Sequence, residues 1–212
     1  MTRELEKYVL GHISPEDPLL AELDRRTHLQ VVQPRMLAGH LQGEILRMLT
    51  SIIAPRTVLE LGTFTGYSAI SIARGLQQGA MLHTVESNDE LEAIATEFIE
   101  RGGYRDRIVQ HIGRALDIVP GLEMEFDMVF IDADKREYPD YYRMLFDSGS
   151  VRSGSVILAD NVLWNGKVAE DPLPTDSYTW GILEFNRMVA EDQRVEKVII
   201  PIRDGMTIIK IK

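Results

Sequence analysis

Val58-Leu59-Glu60-Leu61-Gly62-Thr63-Phe64-Thr65-Gly66-Tyr67-Ser68 sets the fold, because an apolar run meets a glycine-bracketed turn and helical spacing then resumes. Thr57 to Leu61 has the β-branched and apolar residues of a short buried strand. Gly62 and Gly66 allow a turn whose backbone lies close to a ligand. Glu60 is costly in such a strand unless something binds its carboxylate or it reaches solvent. In an open α/β sheet, ligands sit beyond the carboxyl ends of the strands. A tight turn with a partly exposed acid is the plainer reading of the same residues.

A second acid strengthens the ligand reading. His83-Thr84-Val85-Glu86 places Glu86 at the end of a second strand, Met81 to Val85, where a carboxylate can accept the hydroxyls of a ribose. The GxGxxG pattern is absent. Thr63-Phe64-Thr65 stands where another glycine would admit a pyrophosphate, so a nucleoside cofactor without one fits better.

The 212 residues, 44% of them hydrophobic and 26% charged, suffice for one core and predict a single domain spanning 1–212. A formal charge of -10 argues against a broad nucleic-acid footprint, which needs a basic stripe. Cysteine is absent, which excludes disulfides, thiolate metal sites and a cysteine nucleophile. The charged start Thr2-Arg3-Glu4-Leu5-Glu6-Lys7 is unlike a signal peptide, and no long apolar run occurs, so a soluble cytoplasmic protein without a membrane partner is expected.

Around the opening stretch, strand and helix patterns alternate. Residues 3 to 10 form a short amphipathic helix, and Ser14-Pro15-Glu16 offers a cap and first-turn proline for another, Leu19 to Leu29. Residues 1–35 therefore read as a helical extension, with Gln33-Pro34-Arg35-Met36 as a break. Leu41, Ile45, Leu46, Leu49 and Ile53 make one stripe of a helix over Leu37 to Ile53, expected to pack on a sheet. Further strands fall at Arg107 to Ile112, Phe126 to Ile131 and Ser155 to Ala159, with helices between them at Tyr67 to Gly75, Asp89 to Arg101, near Leu116, and Tyr138 to Phe146. After the helix Tyr178 to Glu191, the strands Val195 to Ile202 and Met206 to Ile211 are joined only by Arg203-Asp204-Gly205, which demands an antiparallel hairpin. The sum is an α/β, doubly wound, seven-stranded, mostly parallel sheet with an antiparallel C-terminal hairpin strand.

Two strands end in acids, Ile131-Asp132-Ala133-Asp134-Lys135 and Ala159-Asp160-Asn161. Asp132, Asp160 and Asn161 together offer oxygen donors suited to magnesium, calcium or manganese, although each acid alone is more simply a helix cap. Lys135 is a candidate base beside that set, or else a surface lysine pairing with Asp134 or Glu137. Tyr138, Tyr141, Tyr142 and Trp164 are candidates to wall an aromatic substrate, though helix-spaced tyrosines more often pack inward. The five histidines are scattered along the chain and receive no role.

These motifs, in this order, resemble the cation-dependent class I S-adenosylmethionine O-methyltransferases, which include catechol and caffeoyl-CoA O-methyltransferases, and suggest a bacterial-type member. The pieces that carry the resemblance are Leu59 to Ser68, Val85-Glu86, Ile131 to Lys135, and Asp160-Asn161-Val162-Leu163-Trp164-Asn165-Gly166. It implies a Rossmann-like fold, with Glu60, Gly62 and Ser68 toward the methionine end of S-adenosylmethionine, Glu86 on its ribose, Ala115 near its adenine, and Thr63 as a further cofactor contact. Asp132 and Asp134 also match cofactor-binding positions. Asp132, Asp160 and Asn161 match the metal ligands, and Lys135 matches the lysine that deprotonates or orients the acceptor, with Asp132 beside it in the catalytic set. Met36 and Ala38 match a segment that touches cofactor and substrate, and Asn165 matches a substrate-contacting asparagine of the plant branch, while Trp164 is a substrate candidate from its place in the loop straight after Asn161. Ala115 departs from the serine of the catechol branch, which leaves only a backbone contact to adenine.

The expected reaction is methylation of a vicinal hydroxyl on a catechol-like or phenylpropanoid phenol, by a homodimer. Two other readings stand beside it. One is methylation of a hydroxylated uridine in tRNA, with Arg3, Lys7, Arg25, Arg26 and Arg35 as a positive funnel. The other is a cofactor-binding protein without catalysis, against which the combination of Asp132, Lys135, Asp160 and Asn161 speaks.

Overall fold

The computed structural model describes residues 2–212, apart from the side chain of Arg3. In chain order the helices are α1 (Arg3–Leu10), α2 (Pro18–Gln30), α3 (Gly39–Ile53), α4 (Tyr67–Gly75), α5 (Glu92–Arg101), α6 (Ala115–Leu122), α7 (Tyr138–Asp147) and α8 (Ser177–Glu191). The strands are β1 (Thr57–Leu61), β2 (Met81–Glu86), β3 (Ile108–Ile112), β4 (Met128–Ile131), β5 (Val156–Asp160), β6 (Val195–Ile200) and β7 (Met206–Ile211). They form a seven-stranded sheet in the order β3-β2-β1-β4-β5-β7-β6. The β2–β3, β1–β4 and β4–β5 pairs are parallel, and β7 runs antiparallel to both β5 and β6. The expected hairpin therefore returns inward: β7 joins β5, and β6 is left as an edge strand with Glu196 to Ile199 exposed. Among the described residues, no helix is long and apolar enough to cross a membrane.

The chain divides into two compact units. The first comprises the residues up to Arg56 together with Thr63–Ile112, and so holds α1 to α5 with β2 and β3. Asp17, rather than Ser14, caps α2: its carboxylate accepts the Leu19 N–H at 2.9 Å, and Pro18 takes the first-turn position. The buried face of α3 also differs from the expected stripe. It runs through Gln42, Gly43, Leu46 and Thr50 and packs on α4, while Leu41, Ile45 and Leu49 are half-buried. Gly43 is the cause, since a side chain there would run into Ser71 and Tyr67 of α4. A small residue in the contact draws the two helices together and turns α3 onto a helix instead of a sheet.

Two of the histidines also come together in this unit. His83 Nδ1 lies 3.0 Å from His111 Nε2 across β2 and β3, with the rings stacked at 5.2 Å. Their separation in the chain hid this pairing. Burial lowers the pKa of both rings, and at His83 the neighbouring His111 adds to it. A lowered folded-state pKa makes protonation favour the unfolded chain, so this contribution is complete above about pH 6.5 and is lost as the pH falls below it. Urea titrations between neutral and mildly acidic pH should show falling stability, and His111→Val should flatten that slope.

The second unit comprises Thr57–Gly62 and Gly113–Lys212, with β1, β4 to β7 and α6 to α8. β4 is buried at every residue, as a central parallel strand should be. Tyr138 of α7 meets Phe185 of α8 edge-on, with ring centroids 5.4 Å apart, which ties these two helices at the level of the strand ends.

Candidate functional site

The ends of β4 and β5 build the site in the second unit. Ile131 pairs with Ala159 in parallel register, so the next residues, Asp132 and Asp160, leave neighbouring strand tips together. Asp160 is buried and Asp132 is nearly so. Asn161 follows with a left-handed backbone at φ 59°, a conformation asparagine tolerates better than most residues. Two carboxylates and an amide oxygen at one rim form a donor set fit for a hard divalent cation. No cluster of three or more His, Cys, Asp or Glu side chains suited to a metal occurs among the described residues, so this set depends on Asn161 for its third donor.

Lys135 does not pair with Asp134 or Glu137. Its Nζ donates to Asp132 Oδ1 at 2.6 Å and lies 5.3 Å from the Tyr138 ring centroid. Asp134 instead caps the short turn Lys135–Glu137 by accepting the Arg136 N–H at 3.0 Å, and it also pairs with the Arg136 guanidinium. That pairing holds the Asp134 carboxyl below its ordinary range. The turn is pinned from α8, because a side chain at Gly181 would collide with the Lys135 carbonyl and Arg136. Helix packing thereby fixes the height of Lys135 over the rim.

Tyr138 clamps the two strand ends. Its buried hydroxyl donates toward the carbonyls of Ile131 at 3.1 Å and Asp160 at 2.9 Å. Burial, and then the charges of Asp132 and Asp160, push the phenol well above its ordinary pKa, so it stays a donor. Tyr138→Phe should cost about 1–3 kcal/mol in urea unfolding, because buried carbonyls lose their donor. A divalent cation held by Asp132 and Asp160 would then bind roughly tenfold or more weakly, as the loss of a group that orients ligands weakens it. Tyr141 and Tyr142 are buried, as helix-spaced tyrosines packing inward are, and their hydroxyls donate to Glu137 at 2.8 Å and Asp192 at 3.0 Å.

The loop after Asn161 is held by a residue that sequence reasoning treated only as part of a hairpin link. Asp204 accepts the Leu163 N–H through its carbonyl at 2.9 Å and the Asn165 N–H through its carboxylate at 2.5 Å. Asn186 donates to the Val162 carbonyl at 2.8 Å from α8. The Asp-Gly dipeptide announced a turn, but nothing local announced which loop that turn would grip. Trp164 and Asn165 adopt left-handed backbone at φ 47° and 54°, strained values that a tryptophan keeps only where its surroundings impose them. The Trp164 ring stacks on Tyr178 at 6.2 Å, and its buried Nε1 has no hydrogen-bond partner.

The remaining candidates distribute between the units. In the second, Glu60 is buried within β1, and Gly62 has φ 101° with its missing side chain facing the Asp132 carbonyl. Any other residue at Gly62 would push on the strand tip that carries Asp132. Ala115 is the buried first residue of α6. In the first unit, Thr63 shares a hydrogen bond with Thr84 at 2.5 Å. Glu86 accepts the N–H of Phe64 at 2.8 Å and of Asn88 at 2.9 Å, one on each oxygen, which leaves lone pairs for a diol. Ser68 lies in the first turn of α4, Ala38 precedes α3, and Met36 is exposed. Arg26, offered for a positive funnel, is paired to Glu97 at 2.8 Å, and the Arg3 side chain lies outside the described residues.

The chain resembles known proteins along nearly its whole length. The sequence model of a family described as O-methyltransferase matches residues 11–212. A catechol O-methyltransferase from Niastella koreensis is 33% identical over 206 residues, covering 93% of this chain and 91% of that protein. Caffeoyl-CoA O-methyltransferase 1 from Eucalyptus globulus is 33% identical over 177 residues, covering 79% of this chain and 71% of that one. Among solved structures, an O-methyltransferase from Bacillus cereus in complex with SAH superposes with a TM-score of 0.91 at 32% identity, covering 99% of this chain and 97% of that chain. TomG from Streptomyces achromogenes, solved with SAM, gives 0.90 at 30% identity and covers both chains completely.

Proposed function

We propose, from the premise that this chain belongs to the O-methyltransferase family, that it transfers the methyl group of S-adenosylmethionine to an oxygen of a small molecule. Its acceptor is a vicinal hydroxyl of a catechol-like or phenylpropanoid compound. The observation that carries this reading is the convergence of Asp132 and Asp160 at adjoining strand tips with Lys135 Nζ 2.6 Å from Asp132.

S-adenosylmethionine supplies an electrophilic methyl on a sulfonium, and the residues available for it are Glu86 on the ribose, Ala115 beside the adenine, and Glu60, Gly62, Thr63 and Ser68 toward the methionine. Asp132, Asp160 and Asn161 would hold a divalent cation, which supplies Lewis acidity to the acceptor oxygens. Lys135 takes the acceptor's hydroxyl proton on Nζ in its amine form. Tyr138 and Gly181 keep that lysine and the strand tips in register, and alignment of oxygen, methyl carbon and sulfur then does most of the catalytic work. Trp164 and Asn165 face the acceptor from a loop whose shape Asp204 fixes.

Labelled methyl transfer to a panel of catechols, phenylpropanoids and tRNA, with and without a chelator, tests the reading. Catechols should be labelled, the chelator should abolish labelling, and added magnesium should restore it. Labelling that persists in the chelator would remove the cation from the proposal. For the tRNA reading, Arg26 is ion-paired to Glu97 while Lys7, Arg25 and Arg35 are exposed on a chain of net charge -10, and the tRNA arm of the same assay decides it. Homodimerisation belongs to the same proposal, supported by the exposed apolar side chains of Leu29, Val32 and Ile52, and sedimentation velocity would test it.

A further inference from the structure

Within the first unit, away from every residue assigned above, Ser14, Glu44, Arg47, Arg74, Tyr104 and Arg107 line a cavity of about 320 Å³. That volume lies at the small end of the range for small-molecule sites. Three guanidiniums in its wall answer to only two carboxylates. Glu44 accepts from Arg47 Nε at 2.8 Å and from Arg74 at 3.2 Å, and Asp17 lies 3.4 Å from Arg74 Nε. No hydrogen bond or ion pair engages the half-buried Arg107 guanidinium among the described residues. On a chain of charge -10, such a local surplus of positive charge is out of keeping with the whole.

The wall is also rigidly built. Side chains added at Gly43 or Gly75 would collide with Tyr67 and Ser71 or with the Arg47 carbonyl and Thr50, so α3 and α4 pack closely and hold Arg47 and Arg74 at fixed positions. Glu44, itself in the wall, pairs with both Arg47 and Arg74. Arg107 stands just before β3, held by its backbone N–H on the Tyr104 carbonyl at 2.9 Å. Burial pushes the Tyr104 phenol up, so it remains a hydroxyl donor. The cavity thus offers planar N–H forks and a phenolic O–H, a donor array that matches tetrahedral oxyanions.

We propose that this cavity binds the phosphate group of a small ligand, with Arg107 as its principal contact and Arg74, Arg47 and Tyr104 completing the cradle. The site is separate from the one bearing Glu86. β2 and β3 run parallel, Glu86 ends β2, and Arg107 precedes β3, so about 15 Å of strand lies between them. The proposal does not rest on the methyl-transfer reading, and its occupant does not compete at Glu86.

Isothermal calorimetry at constant ionic strength, with inorganic phosphate and with glycerol phosphate as probes, tests it on the full chain. One saturable site in the millimolar range or tighter is expected, and Arg107→Gln should weaken it at least tenfold while leaving the thermal midpoint unchanged, since Arg107 braces no other side chain. Tighter binding of glycerol phosphate identifies a phosphorylated metabolite as the occupant, and equal binding identifies the free ion. Absence of saturable heat with both probes, or equal binding by Arg107→Gln and the unaltered protein, overturns the proposal.

Discussion

Asp160→Ala should stop methyl transfer while leaving the chain folded and able to bind its methyl donor. Asp160 contributes two separable things at the rim. Its backbone carbonyl accepts the Tyr138 hydroxyl at 2.9 Å, and its position ends the β5 ladder opposite Met206; an alanine keeps both. Its buried carboxylate is what disappears, and with it one of the two anionic donors proposed for the cation. Changes to groups that only orient metal ligands already cost 10- to 100-fold, so turnover should fall by at least about 10²-fold. Steady-state assays at saturating cofactor and magnesium, paired with calorimetry of the demethylated cofactor, check both halves of the expectation. Wild-type turnover by Asp160→Ala would leave the cation without a role in the reaction. Asp160→Asn keeps the oxygen and loses the charge, and should fall between the two.

Lys135→Met should lower kcat by roughly 10²- to 10⁴-fold, the usual contribution of a positioned proton acceptor, with little change in KM. The side chain is only 11% exposed, its Nζ lies 2.6 Å from Asp132, and its backbone turn is trapped under Gly181. A group so constrained can meet an acceptor at the rim without searching for it. Two further variants separate proton transfer from simple positive charge. Lys135→Arg keeps the charge without a usable base and should remain slow, whereas Lys135→Ala should regain part of its rate when a small amine is added to the assay. If Lys135→Arg works at the normal rate, the residue holds the acceptor by charge alone and the proton leaves by another route.

Much of this architecture could be read along the chain because its causes are local. The apolar run Val58 to Leu61 before Gly62 and the short link before β7 each act through immediate neighbours, and both appear as expected or within a residue or two. The departures share a different cause. α3 turned its Gln42–Thr50 face onto α4 because Gly43 allowed close approach, and α2 took its cap from Asp17 because that residue directly precedes Pro18 with its carboxylate on the Leu19 N–H. His83 met His111, Lys135 chose Asp132, and Asp204 reached the loop at Asn165 across intervals no spacing rule spans.

The sequence by itself determined the order of strands and helices, the hairpin, and the presence of acids and a lysine at strand ends, since backbone sterics and apolar periodicity work over a few residues. Only the tertiary structure decided which of those charges touch, which tyrosine clamps two strands, and where an arginine is left without a carboxylate. Such choices depend on groups far apart in the chain being desolvated together, and the strength of a charge or hydrogen bond is set by what surrounds it after folding.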